Sequence, residues 1–173
     1  MGTLIADTVQ TDTIEDEAGA FEHARLVQVV NVTDSAYATG TTVIVADDSI
    51  PQITEGVEYM TLAITPTNAS NKLLIQVITN TSNSSGGATE TLALFQDTTT
   101  AALACVTDSR GSHAHAIVNM TLNHYMIAGT TSATTFRVRV GYNGGTNYFN
   151  GQNGARLFGG VYESSITISE IRV

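Results

Sequence analysis

Two stretches of the chain carry residue types that could do chemistry. The first is His113-Ala114-His115. In an extended segment, residues i and i+2 project to the same side, so both imidazoles could approach one ion. Two nitrogens from one chain are too few for a tight structural site. Three chains meeting on a threefold axis would offer three such pairs, which suits a transition metal. His113 and His115 are therefore candidate metal ligands in a symmetric assembly. Without that symmetry the segment reads as an exposed loop, and no other cofactor is expected.

The second stretch is residues 142–155, YNGGTNYFNGQNGA. Flat aromatic faces beside amide donors and acceptors suit the faces and hydroxyls of sugar rings. The candidate receptor contacts are Tyr148, Phe149, Asn150, Gln152 and Asn153. The competing reading is a hairpin with its aromatics turned into the core.

Other chemistries find no foothold. The chain has no G-x-x-x-x-G-K-[ST], no G-x-G-x-x-G after a strand and no G-x-S-x-G. The single cysteine, Cys105, lies in the apolar run ALACV, where a buried and inert thiol is expected. A single cysteine forms no intrachain disulfide, which points to synthesis in a reducing cytoplasm. The loop carboxylates Asp34, Asp47, Asp48 and Asp108 are scattered, and solvated loop acids are the ordinary reading. No catalytic residue is assigned. Asn31, Asn68, Asn80, Asn83 and Asn119 head N-x-[ST] triplets, but a chain so rich in these residues produces such triplets by chance.

The scaffold that must position these residues is legible from composition. Of 173 residues, 42% are hydrophobic and only 13% charged, against about 25% charged in a typical domain. Threonine occurs 27 times and lysine once. Threonine favours strands over helices. The net charge of -9 repels phosphate, so nucleic-acid binding is not expected. No apolar run approaches the roughly 18 residues of a membrane span, so no membrane insertion is expected. The opening MGTLIADTVQ predicts no signal peptide.

Strand-like runs follow one another from Arg25 onward. They are residues 26–32, 41–45, 57–65, 72–79, 91–96, 102–106, 116–127, 134–142, 156–162 and 165–171. In TTFRVRVGY, Phe136, Val138 and Val140 alternate with Arg137 and Arg139, the period of a half-buried strand. Stretches such as TPTNASN, NGG and NGQNG separate the runs with turn chemistry. No long segment has a 3.6-residue period; one helical turn is expected near DDSIPQ. The expected fold is all-β, an antiparallel two-sheet sandwich of about ten strands, most simply a jelly roll. Residues 1–24 carry six acids and no Lys or Arg. They have strand-like alternation but no core, so they read as a short extended arm needing a partner surface. Residues 25–173 form the domain.

The opening GTLIADTVQTD resembles the short leader of bacteriophage tail-fibre and virion-appendage proteins. The runs IPQITEGVEYMTLAITPTNASNKLLIQV, ALFQDTTTAALA and MTLNHYMIAGTTSATTFRVRVG resemble phage-fibre domains. The closing NGARLFGGVYESSITISEIRV is similar to the last strands of C1q/TNF-like jelly rolls. The resemblance spans essentially the whole chain. It implies a homotrimeric jelly roll on a virion, with no catalytic residues. Tail fibres often carry shaft repeats, and this chain has none.

The function expected is that of a non-enzymatic virion structural protein, a trimeric tail-fibre or receptor-binding appendage. Residues 1–24 would dock on another virion protein, and the jelly roll would contact the host surface, with a glycan as the candidate ligand. The alternatives are a head decoration or head-fibre protein, a small polysaccharide depolymerase, and a cellular C1q-like lectin.

Overall fold

The fold is that of a computed structural model, which describes residues 14–16, 19–21, 25–87, 89–109 and 113–172. Most of the acidic arm lies outside the described residues. Its described part is a small antiparallel hairpin, β1 (Ile14–Asp16) with β2 (Gly19–Phe21), so this portion doubles back where an extended arm was expected.

The domain is all-β. Its long strands are β3 (Arg25–Asp34), β5 (Val57–Ile64), β6 (Lys72–Asn83), β7 (Thr89–Gln96), β8 (Ala104–Ser109), β9 (Ile117–Ile127), β10 (Thr134–Tyr142) and β14 (Ser164–Arg172). Short strands are β4 (Ala38–Gly40), β11 (Asn147–Phe149), β12 (Gly151–Gln152) and β13 (Ala155–Arg156). One sheet runs β5-β10-β7-β8. The other, of six strands, runs β3-β14-β6-β11-β4, with β9 on the far edge of β6. All pairings are antiparallel. First long strand pairs with last, second with seventh, third with sixth and fourth with fifth. That nested pairing, folded over into two sheets, is a jelly roll.

Alternation explains the core. Leu73, Ile75 and Val77 of β6, Ile166 and Ile168 of β14, and Val118, Met120 and Leu122 of β9 are buried. They meet Phe136, Val138 and Val140 of β10 and Leu92 and Leu94 of β7. The alternation read in TTFRVRVGY is thus real. Its outward Arg137 and Arg139 reach Glu58 at 3.2 and 3.3 Å.

Two strand expectations fail for identifiable reasons. TTVIV, residues 41–45, is not a strand. It crosses the outer face of the four-stranded sheet, where Ile44 forms a second small core with Ala93 and Phe95. Gly141 makes the crossing possible: a Cβ there would lie 2.4 Å from the Ile44 backbone nitrogen. RLFGGVY, residues 156–162, holds a short 3₁₀ turn, Phe158–Gly160. Phe158, Gly159 and Gly160 all have positive φ, which a strand cannot accommodate. The helical turn expected near DDSIPQ is a non-helical bend. Cys105 is exposed, not buried, because it faces outward on β8.

The two sheets differ on their outer faces. The four-stranded sheet is partly covered by its own 41–56 segment. The six-stranded sheet presents cross-strand rows from Leu26–Ile171–Lys72–Ile127 to Thr33–Ser165–Ile78–Thr121. Within these rows Lys72 is the one charged side chain, 5.9 Å from the ring centroid of Tyr125. Leu26, Val29, Leu74, Tyr125, Ile127 and Ile171 gather at the end where the arm leaves. Amide pairs such as Gln76 to Asn123 (3.2 Å) fill the middle.

Candidate functional site

One edge of β6 is shared by two strands. Residues 72–78 pair with β14, and Thr81, Ser82 and Asn83 pair with β11, which then pairs with β4. The short strand β11 sets the directions of the predicted receptor residues. Asn147 and Phe149 face inward and Tyr148 faces outward, as strand alternation requires.

Phe149 is 0% exposed and stacks on Tyr59, with ring centroids 4.4 Å apart and planes 5° apart. It is a core residue and offers no face to a ligand. Asn150 is also 0% exposed. Its Nδ2 donates to the carbonyls of Asp34 (2.7 Å) and Ala36 (3.2 Å), and its Oδ1 accepts from Ser164 Oγ at 2.7 Å. Its backbone N–H donates to Asn80 O at 2.8 Å, and its φ is +53°. Asn150 ties the end of β3 to the start of β14, so its amide is spent on the scaffold. Both expectations of direct receptor contact are corrected by burial.

Tyr148, Gln152 and Asn153 remain accessible. Tyr148 sits between two other rings: Tyr37 at 6.4 Å and 23°, and His115 at 6.1 Å and 21°. Burial, with Tyr148 beside it, pushes the Tyr37 phenol above its ordinary value. Gln152 Nε2 donates to His115 O at 2.7 Å. Asn153 is exposed in the two-residue turn Asn153-Gly154 between β12 and β13, both with positive φ, as Asn-Gly hairpins favour. Gly151 is required beneath Tyr37, since a Cβ there would lie 2.4 Å from the ring.

The two sequence candidates therefore meet. His115 joins Tyr148 and Gln152 in one cluster, which no spacing in the sequence announces. Tyr37 completes it; it lies in the turn-like stretch TDSAYATG, whose composition does not single it out. His113 does not join them; it is exposed. The same-side premise for a metal pair also fails, because Ala114 and His115 form a turn and His115 has φ +61°. Among the described residues no group of three or more His, Cys, Asp or Glu converges.

Four carboxylates placed by the structure serve the scaffold. Glu170 is buried and accepts from Gln28, Asn71 and Thr67. Asp97 accepts from the Thr135 N–H at 2.8 Å and Asp34 from the Ala36 N–H at 2.7 Å. Glu58 pairs with Arg137 and Arg139.

The aromatic cluster lies at the end of the sandwich opposite Arg25, the first residue of β3. Arg25, which follows the arm, pairs with Arg172 at one end of β3 and β14. Ser82, paired with Tyr148, is ten residues along β6 from Lys72, roughly 33 Å at strand rise.

No family model and no curated protein matches the chain. Solved structures with some likeness include the T13 particle of the bursal disease virus IBDV (11% identity, TM-score 0.43), of whose chain this one spans 39% while 88% of its own length is covered. Dimeric latent PorU from Porphyromonas gingivalis shares 10% identity at TM-score 0.38, covering 85% of this chain and 13% of that one. The enzymatically active domain of bacteriophage CBA120 tailspike protein 4 shares 13% at TM-score 0.31, covering 70% of this chain and 18% of that one. The chain thus spans well under half of each.

Proposed function

We propose that the chain is a non-enzymatic structural protein of a phage virion, a homotrimeric appendage of the tail-fibre type. Residues 1–24 attach it to another virion protein, and the far end contacts the host surface through a glycan. The observation that carries this reading is polarity. The acidic arm leaves one end of the sandwich, and the Tyr37–Tyr148–His115 cluster occupies the other.

The uncovered face of the six-stranded sheet supports self-association. Like-charged copies repel, yet this face carries one charge in a chain of net charge -9. Its apolar patch at the arm end is what a symmetric contact between copies would bury. The aromatic end then stays free. Each sugar contact is weak, so three copies per trimer and several trimers per particle raise the avidity.

The test is to label the domain and image intact particles, alongside a variant lacking residues 1–24. The expected outcome is label on the tail, and loss of the truncated chain from particles while its melting temperature stays within a few degrees. Label on the head favours the decoration reading. Normal incorporation without the arm overturns the attachment role.

A further inference from the structure

At the tip, β12 and β13 form a two-residue-turn hairpin in which Gly151 lies directly opposite Arg156. Directly opposed residues share a face of the hairpin. Tyr37 covers that face at Gly151, so the Arg156 side chain emerges beside the Tyr37 ring. Its guanidinium rests against Gly160, 3.0 Å from where a Cβ would stand, with Ser35 Oγ next to the same point. Gly160 has φ +104°, so the cradle depends on glycine twice over. Among the described residues no carboxylate pairs with Arg156. The other described cations lie elsewhere: Arg137 and Arg139 on Glu58, and Arg25, Lys72 and Arg172 at the arm end.

We infer that the tip takes a carboxylated sugar, a uronic-acid type of residue, with its ring against the exposed part of the Tyr37–Tyr148 pair and its carboxylate on Arg156. This rests on the glycan reading above and narrows it. A guanidinium recognises a carboxylate with two parallel hydrogen bonds, which fixes orientation as well as charge. Aromatic faces take the C–H side of a pyranose ring. The local acids argue for a monoanion. Asp34 and Glu163 flank the start of β14, and together with the net charge of -9 they oppose a phosphate dianion more than a single carboxylate.

The test uses the full chain and a pair of probes: an immobilised oligogalacturonate and the same oligosaccharide with its carboxyls reduced to alcohols. Wild type is expected to bind the acid form at least tenfold more tightly. Arg156→Gln should erase that preference and keep the weaker binding to the reduced form. Arg156→Lys should restore part of the preference, because the charge returns without the bidentate fork. Tyr148→Ala should weaken both. Thermal melting of each variant separates lost binding from lost fold. Equal binding of both probes by wild type overturns the inference and leaves the glycan reading standing. A preference that survives in Arg156→Gln assigns the carboxylate to another group and also overturns it. Binding of neither probe, together with unchanged adsorption of particles carrying Tyr148→Ala, overturns the glycan reading itself.

Discussion

Asn71 Nδ2 donates to Glu170 Oε1 at 2.5 Å, joining residues 99 positions apart in the chain. Thr67 adds its N–H and hydroxyl to the same oxygen, both at 2.8 Å, and Gln28 Nε2 donates to Oε2. A buried carboxylate without partners would be pushed towards its neutral form. Here burial raises the pKa, but the hydrogen bonds from Asn71, Gln28 and Thr67 outweigh it and bring the group down to about 2.

The pH dependence of stability follows from that shift. A carboxyl lower in the folded than in the unfolded chain stabilises above its ordinary value, 4.5, and loses this as pH falls towards about 2. Glu170→Gln puts an amide donor among donors, at a cost of about 1–3 kcal/mol near neutrality. The gap in melting temperature between wild type and variant should narrow between pH 4.5 and pH 2. A constant gap across that window contradicts the network.

Asn150 and its neighbours should separate in mutagenesis. Asn150→Ala leaves the buried Ser164 hydroxyl without its acceptor and two part-buried carbonyls without their donor, costing about 2 kcal/mol or more. Asn153→Ala, at an exposed turn, should stay within about 1 kcal/mol. Chemical denaturation of both variants is the check, and similar losses would mean that Asn150 is not the tie described.

Self-association should depend on the uncovered sheet face. Wild type is expected to sediment as three copies of an 18.2 kDa chain. Leu74→Glu, in the middle of the apolar patch, should give a folded monomer. A trimer that survives this change places the contact on another surface.

Metal binding is expected to be negligible. The turn at Ala114–His115 separates the imidazoles that an extended segment would have aligned. Elemental analysis of protein purified without a metal column should find less than about a tenth of an ion per trimer, and His113→Ala should melt like wild type. A stoichiometric ion would reinstate the threefold-axis site.

Much of the fold is legible where one residue face packs and the other does not. The alternation in β10 marks the strand from Thr134 to Tyr142, because both neighbouring strands enforce it. The TTVIV segment has the same local look, but its apolar residues serve a plug over a sheet face, and only the space above Gly141 distinguishes the two. The short strands β4 and β11 hide in turn-like composition, since three residues hold no period. The candidate site was half legible. Tyr148 and Gln152 follow from their chemistry, but the partnership with His115 and Tyr37 arises from the pairing of β11 with β6 on one side and β4 on the other, which no local pattern encodes.

The divided edge of β6 has a consequence for how such a protein can diversify. Between β11 and β14 the chain leaves the edge of β6 after Phe149 and rejoins the same edge at Ser165. That excursion holds Gln152, Asn153, Arg156 and the Phe158–Gly160 turn. Its exit and re-entry lie along one line, so neither pairing register sets its length. Insertions there would lengthen a loop without sliding a strand, and closing a longer loop costs only about 0.6 kcal/mol per doubling. Asn150 clamps the point of departure from inside. A lineage could therefore exchange the whole excursion, and with it the surface the tip presents, while every buried residue of the two sheets stays as it is.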